Sequence, residues 1–291
     1  MRTSVIIPTL NAEGYIAPLI GSLRAQTLKP DEIIIVDSES DDRTADIASG
    51  LEGVRLVRIR RKDFNHATTR DEALRGSTGD YVVFMTQDAF PAGNTLLERL
   101  VHPFSTDDRI AVSTARQIPR DDALPFERLV RGFNYPAVSR VRSASDLPEL
   151  GIKTFSISDC CCAYRRDIFL ELGGFGFPVT TDEDLFFAAK VIHSGYKISY
   201  TADAEVIHSH NFTLRQQYRR NFLMGYELEK HKDILAGVSA EKEGIRLVKH
   251  VSLELLKHGR VFSFVHFGFD CVARLAGNKM GRRSWRKESA T

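Results

Sequence analysis

Residues 32–48 read Glu32-Ile33-Ile34-Ile35-Val36-Asp37-Ser38-Glu39-Ser40-Asp41-Asp42-Arg43-Thr44-Ala45-Asp46-Ile47-Ala48. The β-branched run Ile33 to Val36 predicts a strand buried on both faces, as in a parallel sheet with helices on each side. Ser40, Asp41 and Asp42 supply N-cap oxygens for a helix running through Ile47. Outward from this unit the alternation repeats. Ser4 to Pro8 is a short apolar strand closed by proline, and Tyr15, Ile16, Leu19, Ile20 and Leu23 recur behind it at helical spacing. Val54 to Ile59 is a third strand, a helix from Ala67 to Leu74 stops at Gly76, and Tyr81 to Met85 is a fourth strand. This order implies an α/β fold, a mostly parallel sheet with helices on both faces.

Further along, the pattern is less regular. Ile110 to Thr114 reads as a strand, residues 119–148 as loop-rich, and Phe155 to Tyr164 as extended. Arg166 to Leu172 is a short helix halted by Gly173-Gly174. Asp184 to His193 is a helix ended by Gly195, and Lys197–Tyr200 and Ala204–His208 read as two strands. From Thr213 onward the chain is helical and more basic. Hydrophobic residues at 43% and charged residues at 27% exclude wholesale disorder. Lys plus Arg number 40 against 38 Asp plus Glu, and a net charge of +2 makes no case for nucleic-acid binding. The N-terminal apolar run is too short for a signal peptide, and no span of roughly 18 apolar residues predicts a transmembrane helix. Cys160, Cys161, Cys162 and the distant Cys271 lack zinc-ligand spacing and read as reduced, partly buried thiols of a cytoplasmic protein.

No G-x-G-x-x-G follows the first strand and no G-x-x-x-x-G-K-[ST] occurs, which excludes a dinucleotide fingerprint and a P-loop. Ligands of open α/β sheets collect at the carboxyl ends of strands. Asp37 ends the second strand and Asp88 follows the fourth. Either alone is an ordinary turn former; two flanking one crevice point to a site. Asp182-Glu183-Asp184 open a helix, where the dipole favours each acid by up to about 1 kcal/mol. Three adjacent carboxylates also repel one another, a cost more usual where carboxylates are used. His208 and His210, two apart after a strand and downstream of these acids, are metal-ligand candidates.

These stretches carry a resemblance. Val5-Ile6-Ile7-Pro8-Thr9-Leu10-Asn11 resembles the first strand and loop of family 2 glycosyltransferases, and residues 36–44 are similar to their V-D-D-G-S-x-D-x-T segment. Phe64-Asn65-His66 with Thr69-Arg70 resembles the F-N-H-G-G-T-R-N stretch of the bacterial rhamnosyltransferase branch. Met85-Thr86-Gln87-Asp88-Ala89 resembles that branch's form of the D-x-D motif. Gly173-Gly174-Phe175, Glu183-Asp184, Ala188-Ala189-Lys190, Gly195-Tyr196 and His208-Ser209-His210-Asn211 complete the order, over about residues 3–215. The departures are Glu39 for Gly, Thr86 for the first Asp of D-x-D, Ala67 and Thr68 for two Gly, and Asp71 for Asn.

The resemblance implies a GT-A-like domain over residues 1–215, with residues 216–291 as a helical, basic extension. It implies an inverting transfer of L-rhamnose from dTDP-rhamnose to a saccharide or lipid-linked saccharide acceptor in cell-surface polysaccharide synthesis. By the same resemblance Asp184 is the general base with Glu183 its competitor. Asp88 and His208 hold a divalent metal, Mg²⁺ or Mn²⁺, and Asp37 accepts the base N–H. Thr9, Asn11, Ser38, His66, Arg70 and Gln87 complete the substrate set, Arg70 against the nucleotide. Another nucleotide-sugar donor, or a catalytically inactive saccharide-assembly paralogue, is the alternative. A sugar-nucleotide pyrophosphorylase would need a Gly-rich basic loop where Thr9 to Gly14 stand. The aromatic run Val261 to Phe269 and the basic tail Lys279, Arg282, Arg283, Arg286 and Lys287 suit an anionic membrane surface, which would make the enzyme peripheral on the cytoplasmic face of the inner membrane. The competing reading is a helix packed on the domain.

Overall fold

The structure, a computed structural model, describes residues 1–235, 238 and 241–290. The four apolar runs become β1 (Thr3–Thr9), β2 (Glu32–Asp37), β3 (Val54–Arg58) and β4 (Tyr81–Met85), parallel in the order β3-β2-β1-β4. They are joined by α1 (Glu13–Arg24), α2 (Thr44–Ser49) and α3 (His66–Arg75). The sheet continues through β5 (Phe90–Pro91), α4 (Leu96–Val101), α5 (Pro103–Thr106) and β6 (Ile110–Ile118). The segment read as loop-rich holds α6 (Pro125–Asn134), β7 (Arg140–Arg142) and α7 (Leu147–Leu150). Then come β8 (Cys161–Arg165), α8 (Arg166–Glu171), α9 (Glu183–His193) and β9 (Lys197–Ile207). The sheet order is β3-β2-β1-β4-β8-β6-β9-β5, with β7 on β9. β8 runs antiparallel to β4 and β6, while β6 and β9 are parallel.

Side chains of β4 alternate between the two cores. Tyr81, Val83 and Met85 enter the layer under α1 and α4, and Val82 and Phe84 the layer under α3 and α9. Cys161 and Cys162 likewise face opposite layers, and Cys160 to Cys162 are buried and free. Two readings are corrected. Residues 155–160 are not extended: a 3₁₀ turn closes at Phe155, and the strand starts only at Cys161. Lys197 to Ile207 is one strand rather than two. Against β6 the register jumps from Ala115–Thr201 to Arg116–Glu205, so a bulge absorbs the stretch around Asp203 that reads as a break.

The remainder is α10 (Leu214–Lys230), α11 (Glu241–Lys257) and α12 (Val261–Glu288). Glycines let α10 and α12 meet backbone to backbone. A Cβ on Gly225 would collide with Asn278, and on Gly277 and Gly281 with the Tyr218 and Phe222 carbonyls. Phe267 of α12 joins Val251 and Leu255 of α11 and Phe126 and Val130 of α6 in a third core. The opposite side of α12 is open. Phe262 is 94% exposed, and Val265, Phe269, Val272 and Leu275 follow at spacings of three and four, each at least half exposed.

Candidate active site

The carboxyl ends of β1, β2 and β4, the α9 start, the β9 end and one face of α10 surround a cleft of about 770 Å³. The loops that border the cleft are built by side chains that bond neighbouring backbone. Asp42 accepts from Thr44 N at 2.9 Å and Glu13 N at 3.1 Å, which starts α2 and ties it to α1. Glu39, in place of Gly, takes a left-handed φ of 59°, and its carboxylate accepts from Arg61 N at 3.0 Å. Asp71, in place of Asn, accepts from Phe175 N at 3.2 Å and so holds the turn after Gly173 and Gly174.

The predicted substrate residues divide by position. Thr9, Ser38, His66, Arg70 and Gln87 line the cleft. Ser38 Oγ is buried without a partner, which leaves it a donor for a ligand. Gln87 exchanges two hydrogen bonds with the Leu10 backbone, at 2.8 and 3.1 Å, and so shapes the wall. Asp37 is 2% exposed beneath that wall and accepts from Thr9 Oγ1 at 3.4 Å and Ser40 N at 3.1 Å. Asn11 lies outside the cleft lining, exposed, where its Oδ1 accepts from Asp41 N at 2.8 Å. Asn65 caps α3 by accepting from Ala67 N and Thr68 N, which sets His66 at the cleft mouth. Burial and the Arg70 cation pull the His66 pKa down to about 4, so the ring is neutral and accepts from Arg70.

Arg70 lies deep in the cleft wall. It is 3% exposed, and its guanidinium pairs with Glu183 at 3.0 Å and faces Asp159 at 3.6 Å. Arg70 thus joins the acidic cluster to the cleft wall. Asp159, which no motif announced, also accepts from Tyr164 Oη at 2.6 Å, and burial raises its pKa well above the carboxylate range. Glu183 is buried at 7% exposure. Asp184 is half-buried in the cleft wall, its Oδ1 accepting from Leu185 N at 2.7 Å and its Oδ2 from Asp159 N at 3.2 Å. Burial and the neighbouring Glu183 push its pKa up to about 6. Asp182 takes a left-handed φ of 65°, and burial with the nearby Asp184 lifts it to about 7. This acidic turn is held from both sides: Asn65 donates to Val179 O at 2.8 Å, and Glu227 of α10 accepts from Thr180 N at 3.0 Å.

Across the cleft, Asp88, His208 and His210 offer ligand atoms that all lie within 4.8 Å of one another. His208 Nε2 is 3.6 Å and His210 Nε2 3.5 Å from the Asp88 carboxylate. Burial lowers the pKa of both imidazoles, which favours the neutral, ligating form. One carboxylate and two imidazoles suit a borderline divalent cation with positions left open. Thr86 brings no carboxylate; His210 offers a third ligand atom beside Asp88 and His208.

The parallel sheet thus ends in a cleft that holds the carboxylate–histidine trio and Asp184, which has no paired cation among the described residues, and the fold is that of the GT-A glycosyltransferases. Residues 4–173 match the family model "Glycosyl transferase family 2", and the chain belongs to that family. It is 39% identical to the O-antigen chain rhamnosyltransferase RfbN of Salmonella typhimurium, over 97% of this chain and 90% of the relative. It is 37% identical to WbaN of Salmonella anatum, also an O-antigen chain rhamnosyltransferase, over 96% and 89%. Among solved structures, the mannosyltransferase PcManGT of Pyrobaculum calidifontis, in complex with GDP-Man and Mn²⁺, superposes with a TM-score of 0.65 at 18% identity over 96% of this chain and 86% of that one. S. aureus TarS 1-349 with UDP gives 0.58 at 19% identity over 99% and 92%.

Proposed function

We propose that the chain transfers L-rhamnose from dTDP-rhamnose to a saccharide acceptor of a cell-surface polysaccharide, with inversion at the anomeric carbon. The rhamnosyltransferase names of two relatives aligned over nearly the whole chain support the sugar. The observation that carries the chemistry is that Asp184, with no cation paired to it among the described residues, shares one cleft with the Asp88–His208–His210 trio.

Asp88, His208 and His210 would hold the divalent cation, and their nitrogen-rich set favours Mn²⁺ over Mg²⁺. Such a cation, when bound, neutralises charge developing on the leaving diphosphate. The chain's own residues do the rest. Asp184 accepts the proton of the acceptor hydroxyl as that oxygen attacks the anomeric carbon, and the bond from that carbon to the diphosphate breaks. Glu183 is tied to Arg70 and is the weaker base. Asp37, Thr9 and Ser38 shape the nucleoside end, and Gln87 holds the wall between it and the cation site. A thermal-shift panel tests the donor: with Mn²⁺, dTDP-rhamnose raises the melting temperature more than GDP-mannose or UDP-GlcNAc does, by mass action. Equal shifts from all three would remove the sugar assignment.

The acceptor is lipid-linked on this reading, and α12 docks the enzyme on the membrane. Among the described residues no helix is long and apolar enough to cross a membrane. Residues 241–291 carry eleven Lys and Arg against five Asp and Glu. The open stripe from Phe262 to Leu275 runs on into Lys279 and Arg283, an apolar face with a basic end. The packing of α12 on α10 and the docking of its other face are compatible, so the two readings of this segment are not exclusive. Phe262→Asp with Phe269→Asp should abolish co-sedimentation with anionic vesicles and leave turnover on a soluble acceptor intact. Undiminished sedimentation would refute the docking face.

A further inference from the structure

We propose that Gln117 is a positioning residue that fixes the ring and tautomer of His208, so that Nε2 presents its lone pair to the cation. This rests on the cation site proposed above. Gln117 is the penultimate residue of β6 and is 3% exposed. It lies beside His208 because β6 and β9 run parallel, with Gln117 opposite Val206 and His208 N donating to Ile118 O at 2.9 Å.

The amide orientation follows from chemistry. Arg131 Nη1 donates to Gln117 Oε1, and Arg131 Nε donates to Glu127 at 2.8 Å, a pair one turn apart on α6. A guanidinium has donors only, so the Gln117 atom facing it is the carbonyl oxygen. The other end of the amide donates to Tyr135 Oη at 2.8 Å; flipping it would turn the NH₂ against the Arg131 guanidinium, two donors face to face. The same oxygen lies 3.0 Å from His208 Nδ1. Nδ1 therefore carries the proton, and the neutral ring keeps its lone pair on Nε2, the nitrogen 3.6 Å from Asp88. Glu127, Arg131, Gln117 and His208 form one chain, in which α6 holds a ligand that its own strand would leave free to turn. The outer face of α6, Phe126 and Val130, is locked against α11 and α12.

An acceptor on the second nitrogen of a metal-bound histidine is typically worth about 10–100-fold in metal affinity. The test titrates Mn²⁺ into the full-length chain with dTDP present and reads free Mn²⁺ by electron paramagnetic resonance. Gln117→Leu should bind Mn²⁺ about 10–100-fold more weakly. Gln117→Glu, whose carboxylate accepts from Nδ1–H and pairs with Arg131, should bind at least as tightly as wild type. Nitrogen-15 NMR should find the Nδ1–H tautomer of His208 in the wild type and in Gln117→Glu. Wild-type affinity in Gln117→Leu, a loss in folded Gln117→Glu, or an Nε2–H tautomer in the wild type overturns the proposal; the last two stand even if Gln117→Leu does not fold. Asp88→Ala separates the two readings. If it binds Mn²⁺ as wild type does, the cation site itself falls. If only Asp88→Ala loses binding, the cation site stands and Gln117 is refuted.

Discussion

Asp184→Asn lowers turnover by about 10²–10⁴-fold, the range lost with a positioned general base, and leaves donor affinity nearly unchanged. The variant keeps the shape that accepts from Leu185 N and removes the basicity. Glu183→Gln should cost far less turnover, because the Arg70 cation at 3.0 Å makes Glu183 the weaker base. The pH dependence gives a second handle. A base must be ionised, so turnover falls as pH drops through about 6, the value to which burial and Glu183 push Asp184. The acid limb disappears in Asp184→Asn. Near-normal turnover in Asp184→Asn, or a dead Glu183→Gln beside it, would reverse the two roles.

Arg70→Met should be the most destabilising single substitution in the cleft. It leaves Glu183 and Asp159 buried without their cation, and removing one partner of a buried pair costs about 3–5 kcal/mol. The melting temperature should fall by several degrees, at roughly 2–4 °C per kcal/mol for a domain of this size. Without Arg70 the folded-state pKa of Asp159, already raised by burial, rises further because the cation that lowers it is gone. Protonation then favours the folded state, so the deficit shrinks as pH falls and is full at neutral pH. The double variant Arg70→Met with Glu183→Gln removes both charges and should recover part of the loss. An Arg70→Met protein as stable as wild type at pH 7 would show that the buried ion pair carries no such energy.

The difference between these residues explains what a sequence can disclose. Asp37 and Asp88 were legible because strand ends and ligand edges coincide in a parallel sheet. Asp184 and His208 were legible from clustering and from the family resemblance. Arg70 is placed in the cleft by the sequence, but its two carboxylates lie 89 and 113 positions away and only the folded core shows these pairs. Asp159 sits beside three cysteines and matches no motif, while Gln117 reaches His208 across 91 positions. His210 was one of a noted histidine pair, and its part as the third donor required the fold of the β9 end. The unity of β9 was hidden because a bulge has no signature distinct from a turn. The glycines of α10 and α12 look like helix weaknesses in the sequence, and the structure uses them as contact points.

On the proposed function, this cleft moves a sugar from a nucleotide donor with help from a cation held by Asp88, His208 and His210. The direct measurement is release of dTDP from dTDP-rhamnose by the purified full-length chain, with saccharide acceptor, in Mn²⁺ and after chelation. The expected result is acceptor-dependent release with Mn²⁺, loss of release on chelation, and no release by Asp88→Ala in either condition. Release that survives chelation, or that Asp88→Ala supports as well as the wild type, would contradict it.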